Sequence, residues 1–256
     1  MFRCVKSTFV GIGAVLFISG CAKTPGSAPP LMLRDLARSY LVGTTYDQAL
    51  IAAQQDDQRA LHDRLNQLDA LNATDISADL QLTRAEDLVR AAANLDFQAQ
   101  QVKKHNPALS QQLQGEAGQK YRSALRWSPQ FPSDDPQLLN ALGYYLADRG
   151  HSYADFELAS ELTGRAIALL QKAIDENKIA GVSGQQWLSE VQQQQAVTQD
   201  SYAWALYKLK RFDEAETAQQ VALAQAKSSG MKDHEALAEL ELHLAKIRSK
   251  KSEVGS

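Results

Sequence analysis

Pairs of small residues at matching positions in two stretches constrain the fold of this chain more than any other feature. Ala203 lies in a helical segment rich in Tyr and Leu, and Ala215 lies in the next segment; Gly143 and Ala159 are related in the same way. Two antiparallel helices approach to about 8 Å only where small side chains meet. The pattern predicts closely crossed helical hairpins, in which Leu in place of Ala215 would not fit. The alternative is an amphipathic bundle with incidental alanines.

The rest of the chain also predicts helices. Ala, Leu and Gln are frequent, whereas Gly, Pro and aromatic residues are sparse, which favours helices over strands. Apolar residues recur at helical spacing from residue 31 onward. The expected parts are an N-terminal helical region over 31–110, a repeat region over 111–248 and a disordered tail over 249–256. Near the end of the repeat region, separate helices are expected at about 185–195 and 198–209, after a glycine-containing break over 179–187.

The stretch DSYAWALYKLKRFDEAETAQQVAL, residues 200–223, resembles a tetratricopeptide repeat of the bacterial type. A second unit from residue 138 follows the same plan. The packing residues that carry the resemblance in the two units are Leu142, Gly143, Leu146, Ala159, Ala166, Ala203, Leu206, Ala215 and Ala222. Two departures are Ala in place of Gly at 203 and Gln in place of an aromatic residue at 219. The resemblance implies an all-α solenoid of hairpins stacked into a right-handed superhelix, and it is weaker over 31–110.

The resemblance also implies a binding groove, because the first helices of such repeats line the concave face. Its candidate residues, outside the packing positions, are Asn140, Tyr144, Asp148, Trp204, Tyr207 and Lys208. Exposed aromatic residues at a groove would supply much of the binding energy. In the alternative interpretation, Trp204 and Tyr207 pack on the helix at 185–195. Asp148 and Asp200 disfavour a bound C-terminal carboxylate, so we expect a helical or extended protein segment as the ligand.

The first 20 residues have the pattern of a signal peptide. Arg3 and Lys6 precede an apolar run that is too short to span a membrane. Residues 18–21, Ile-Ser-Gly-Cys, resemble the lipobox of bacterial lipoproteins, which implies that Cys21 carries lipid, including an acyl group such as palmitate, after cleavage. Ala22 in place of Asp favours sorting to the periplasmic face of the outer membrane. A plain secreted protein is the alternative.

Residues 21–30 would then be the lipidated cysteine and a Pro- and Gly-rich tether. Cys4 falls in the removed segment and Cys21 carries lipid, so the mature domain has no thiol for disulfides or metal. Without Arg3 and Lys6, the 27 basic residues fall to 25 against 30 acidic ones, which gives no reason to expect nucleic acid as a partner.

The sequence offers no pattern typical of catalysis. The five histidines lack the spacing of metal ligands, and the nucleophile, phosphate and dinucleotide motifs are absent from the sequence. Asp134 and Asp135 are adjacent at a helix start, where capping explains them better than paired acid and base roles. We therefore expect no catalytic residues, no metal and no cofactor.

These patterns predict a lipid-anchored periplasmic scaffold that binds partner proteins in cell-envelope assembly through a repeat groove. The first alternative is an envelope enzyme that acts on peptidoglycan, with its site within 51–110. A second is a structural module that packs its groove with its own tail.

Overall fold

The computed structural model describes residues 41, 43–49, 51–52, 58–70, 78–180 and 184–255 of the 256-residue chain. The predicted signal peptide, Cys21 and the tether lie outside the described residues. No described residue lies in a strand, and the all-helical prediction is confirmed.

Eight helices have bounds within the described residues. They are α1 (Gln58–Ala70), α2 (Ala78–Val102), α3 (Pro107–Trp127), α4 (Pro136–Arg149), α5 (Tyr153–Ala180), α6 (Gln185–Lys208), α7 (Phe212–Ser228) and α8 (His234–Gly255). Residues 43–49 are helical as well.

The chain divides into two compact units, over residues 1–72 and 73–256. In the first unit, Leu61, Leu65 and Leu68 of α1 form a buried stripe at helical spacing. The second unit contains α2 to α8. The boundary predicted between residues 110 and 111 falls inside α3.

Helices in the second unit pack mainly against their neighbours along the chain. Helices α2 and α3, α4 and α5, and α6 and α7 form three hairpins. The first helices of these hairpins also pack on one another in order, α2 on α4 and α4 on α6, and α8 continues the series by packing on α6 as well as α7. This architecture of consecutive packed helices is consistent with an α-solenoid.

Polar residues fix the start of α4. Asp135, one of the two acidic candidates, accepts hydrogen bonds from the backbone N–H groups of Gln137 and Leu138, and Pro136 occupies the first turn. Arg165 of α5 donates to the carbonyl oxygens of Phe131 and Ser133. The loop before α4 is therefore tied to the second helix of the same hairpin.

The two pairs of small residues lie in buried surroundings. A Cβ atom built on Gly143 would lie 2.6 Å from Thr163 Cγ2 and 3.2 Å from the carbonyl oxygen of Ala159, so α4 and α5 approach within contact of backbone. Ala203 and Ala215 are both fully buried in one cluster, which also contains Ile247 of α8.

Two features of the C-terminal third differ from the sequence-based expectation. One continuous helix, α6, replaces the two helices expected at 185–195 and 198–209. Residues 249–255 of the tail that was expected to be disordered are helical, because α8 continues to Gly255. Lys251 lies 2.7 Å from Asp213 and 2.9 Å from Glu216 of α7, and these ion pairs hold the last turns of α8 against the hairpin.

Candidate binding surface

The six predicted groove residues lie on two first helices that pack together. Asn140, Tyr144 and Asp148 are four residues apart on α4 and therefore share one face. Trp204, Tyr207 and Lys208 lie on the last turns of α6. The structure places these two sets in different surroundings.

Trp204 is covered by α8. Trp204 is 8% exposed, and its ring stacks on Tyr207, at a centroid distance of 4.8 Å, and on His243 of α8, at 4.4 Å. The ammonium groups of Lys208 and Lys246 lie 5.2 and 5.3 Å from the centroid of the same ring, within the range of cation–π attraction. A partner would reach Trp204 only by displacing α8. The alternative interpretation, in which Trp204 packs on a separate helix at 185–195, is wrong, because those residues belong to the same helix as Trp204.

A buried polar network beneath Trp204 holds α8 to α6 and α7. His243 Nδ1 lies 2.9 Å from Asp200 Oδ1, and Gln219 Nε2 donates to the same carboxylate and to the carbonyl oxygen of Leu240. All three side chains are buried, so each depends on the others for hydrogen bonds. Gln219 is one of the two positions where the sequence departs from the repeat pattern, and this network explains that departure.

Tyr144 of α4 contacts α8. Its hydroxyl is 3.4 Å from Glu239 Oε1 of α8. Burial raises the pKa of Tyr144 well above its usual range, and the nearby carboxylates of Glu239, Asp148 and Asp200 raise it further. The phenol therefore stays protonated and can donate a hydrogen bond, either to Glu239 or to a ligand.

An open cleft of about 580 Å³ separates the first turns of α4 from those of α6. Its lining residues are Gln137, Asn140, Ala141, Trp187, Glu190, Val191 and Gln194. Asn140 is the one predicted groove residue that lines this cleft. Its enclosed Oδ1 accepts no hydrogen bond from any described residue. Trp187, which is half-buried, was missed because the sequence placed it in the glycine-containing break.

A second polar cluster joins α2, α3 and α4. Burial raises the pKa of Asp96, although Arg149, whose guanidinium lies 3.8 Å away, acts in the opposite direction, as does a hydrogen bond from Tyr121. Arg149 also donates to the carbonyl oxygen of Gln114. Asp96 falls within the region 51–110 where an enzyme site was considered. Its partners Tyr121 and Arg149 lie on α3 and α4, so the cluster ties three helices together.

The rest of the described chain adds no metal site. Among the residues that the structure describes, no three His, Cys, Asp or Glu side chains are grouped so that they could hold a metal ion. Within the same residues, no helix has the length and apolar character needed to span a bilayer.

A scan against known protein families finds no match to this chain, and searches of curated proteins and of solved structures find none either. The resemblance to tetratricopeptide repeats therefore rests on the sequence pattern.

Proposed function

We propose that this protein is a lipid-anchored scaffold in the bacterial periplasm that binds partner proteins during cell-envelope assembly. Its hairpins α2–α3, α4–α5 and α6–α7 would be tetratricopeptide-like repeats in a right-handed superhelix, with α8 as the helix that ends the series. The successive packing of α2, α4, α6 and α8 supports this arrangement, because first helices adjoin one another in such stacks.

The observation that carries the proposal is the polar side of α4. The apolar side of α4, with Leu139, Leu142 and Leu146, is buried. The polar set Asn140, Tyr144 and Asp148 lies at four-residue intervals on another side, and the Asp148 side chain is 43% exposed. We define the inner face as these three residues together with the cleft beside them. A protein segment that lies along this face could hydrogen-bond to the Asn140 amide and the Tyr144 phenol.

The predicted lipid anchor would determine where in the cell the protein is held. Lipid on Cys21 would hold the domain at the outer membrane through several acyl chains, since each buried methylene contributes about 0.8 kcal/mol. A tether over 22–30 would keep the inner face within reach of other envelope proteins.

Site-specific photocrosslinking in intact cells tests the proposal. A photoreactive amino acid at Asp148, on the inner face, should capture a discrete protein partner. The same amino acid at Lys172 of α5, whose side chain is 68% exposed, is the matched control and should capture little. Equal capture at both positions would contradict a partner site on the inner face.

A separate incubation with purified peptidoglycan addresses the enzyme alternative. The proposal expects no soluble fragments above the level of a heat-inactivated sample. Release of fragments by the intact protein would show that the chain is an enzyme.

A further inference from the structure

The cleft between α4 and α6 has the size of a small-ligand site and a mixed polar and apolar lining. Its volume of about 580 Å³ lies within the range of roughly 300 to 1,000 Å³ that is usual for such sites. Three side-chain amides line it, from Gln137, Asn140 and Gln194, and Trp187 supplies an aromatic surface. Glu190 is the one charged residue among the described residues that line the cleft.

This lining selects against charged and purely apolar ligands. A carboxylate at Glu190 without a lining cation among the described residues disfavours anions. Three amides would be left unpaired by a hydrocarbon, which makes its burial unfavourable. The lining suits a neutral ligand that has many hydroxyl groups and one apolar face. A sugar ring has both, because its C–H groups can lie on the Trp187 indole while its hydroxyls exchange hydrogen bonds with amides, each of which donates and accepts.

Asn140 narrows the chemistry of the ligand. Its enclosed Oδ1 has no donor among the described residues. Rotation of the side chain would bring this oxygen to the cleft, where a ligand N–H would satisfy it. Ala141 and Val191 line the same cleft and offer apolar contact to a methyl group. An acetamido substituent presents an N–H and a methyl group together. We propose that this cleft binds an N-acetylated saccharide, with its ring on Trp187 and its acetamido group at Asn140, Ala141 and Val191. This site shares Asn140 and the cleft with the inner face, but it would exist whether or not the inner face also binds a protein.

The test is titration of the purified full-length protein with tri-N-acetylchitotriose and with cellotriose, which carries hydroxyls in place of the acetamido groups. Isothermal calorimetry should show binding of the acetylated sugar at least about tenfold tighter than that of cellotriose, a difference of about 1.4 kcal/mol. Trp187→Ala should weaken binding by about tenfold or more. Asn140→Leu, which keeps the volume but removes the amide, should reduce the preference for the acetylated sugar.

Tyr153→Ala is the matched control, because Tyr153 is an exposed aromatic residue outside the cleft, and it should leave the affinity unchanged. Circular dichroism confirms that each variant is folded; if Trp187→Ala is not, Asn140→Leu decides. Absence of binding at millimolar sugar, equal affinity for the two sugars, or an unchanged preference in Asn140→Leu would each overturn the inference. If the photoreactive amino acid at Asp148 captured no protein while sugar binding was intact, only the proposed scaffold function would be overturned.

Discussion

Gly143 has only a hydrogen atom at the position where every other residue would carry a Cβ atom. The nearest groups are Thr163 Cγ2 and the Ala159 carbonyl, and Thr163 has little freedom because its hydroxyl donates to that carbonyl at 2.7 Å. A methyl group at this position would force the two helices of the hairpin apart. The close approach is therefore specified by one residue rather than by the apolar pattern as a whole.

Gly143→Ala should lower the free energy of unfolding by about 1 to 3 kcal/mol because it overpacks the crossing. Gly164→Ala is the matched control: a Cβ there meets only Tyr202 Cε2 at 3.8 Å, so the higher helix propensity of Ala should raise stability by about 0.5 to 1 kcal/mol. Urea unfolding of both variants checks the prediction. Equal effects of the two substitutions would show that the crossing is not tight.

Asp96 should make stability fall as pH rises. Its pKa in the folded state is raised above the usual 3.8, chiefly by burial, so the folded state holds its proton more tightly than the unfolded state. The folded state therefore loses relative stability as pH rises from about 3.8 through the folded pKa. Asp96→Asn removes this titrating group. The stability of the variant relative to the native chain should therefore increase as pH rises through that range.

Asp155 provides a control of opposite sign. Burial alone would raise its pKa, but hydrogen bonds from the backbone N–H groups of His151 and Ser152 outweigh burial and lower the pKa. Asp155 therefore stabilises the fold above its unfolded pKa, and this stability is lost as pH falls through the folded pKa. Urea unfolding from pH 3 to 7 on the native chain and both Asn variants checks this. The free energy of unfolding of each variant minus that of the native chain should rise with pH for Asp96→Asn and fall with pH for Asp155→Asn. Parallel curves would contradict the account of Asp96.

Helix α8 is part of the core rather than an appendage. Ile247 is fully buried with Ala203 and Ala215, and the Asp200–His243–Gln219 network fixes the middle of the helix. The sequence shows α8 as a helix, but helical periodicity does not reveal which neighbour a helix covers. The covered state of Trp204 could therefore not be predicted from local pattern. Gln219, which stands where the repeat pattern has an aromatic residue, was the one local indication in the sequence of a polar contact with α8.

Ile247→Ala should destabilise the protein by about 2 to 5 kcal/mol, as expected for a buried large-to-small substitution. Val254→Ala, at a position of the same helix that is 66% exposed, should change stability by less than about 0.5 kcal/mol. Thermal or urea unfolding measures both. A negligible effect at Ile247 would mean that α8 packs elsewhere.

At the scale of the whole molecule, α8 also defines how much of the inner face is open. Its first turns reach Lys104, in the turn after α2, through Glu235, and Tyr144 of α4 through Glu239. The cleft beside α4 and α6 remains open. The repeated helical hairpins could be expected from the sequence, since small residues and apolar periodicity are local signals. The cleft could not, because it depends on Trp187 lying on a continuous α6 beside α4.

Membrane attachment is predicted to depend on one atom, the sulfur of Cys21. Cys21→Ser should move the protein from the membrane fraction to the soluble fraction of cell lysates, because no acyl chains would remain to anchor it. Cys4→Ser, in the segment expected to be removed, is the matched control and should leave the protein in the membrane fraction. Retention of Cys21→Ser in the membrane would contradict the lipoprotein assignment.

Zero-length carbodiimide coupling tests most directly whether α8 closes the series of first helices. The reagent joins an amine to a carboxylate only where the two are in contact, as Lys104 and Glu235 are. Mass spectrometry of the native chain should identify a peptide that joins residues 104 and 235, and Lys104→Arg should abolish it. The local pair Lys172 and Glu176 of α5, 3.7 Å apart, reports that the chemistry has worked. Coupling of this local pair without any link between 104 and 235 would contradict the arrangement.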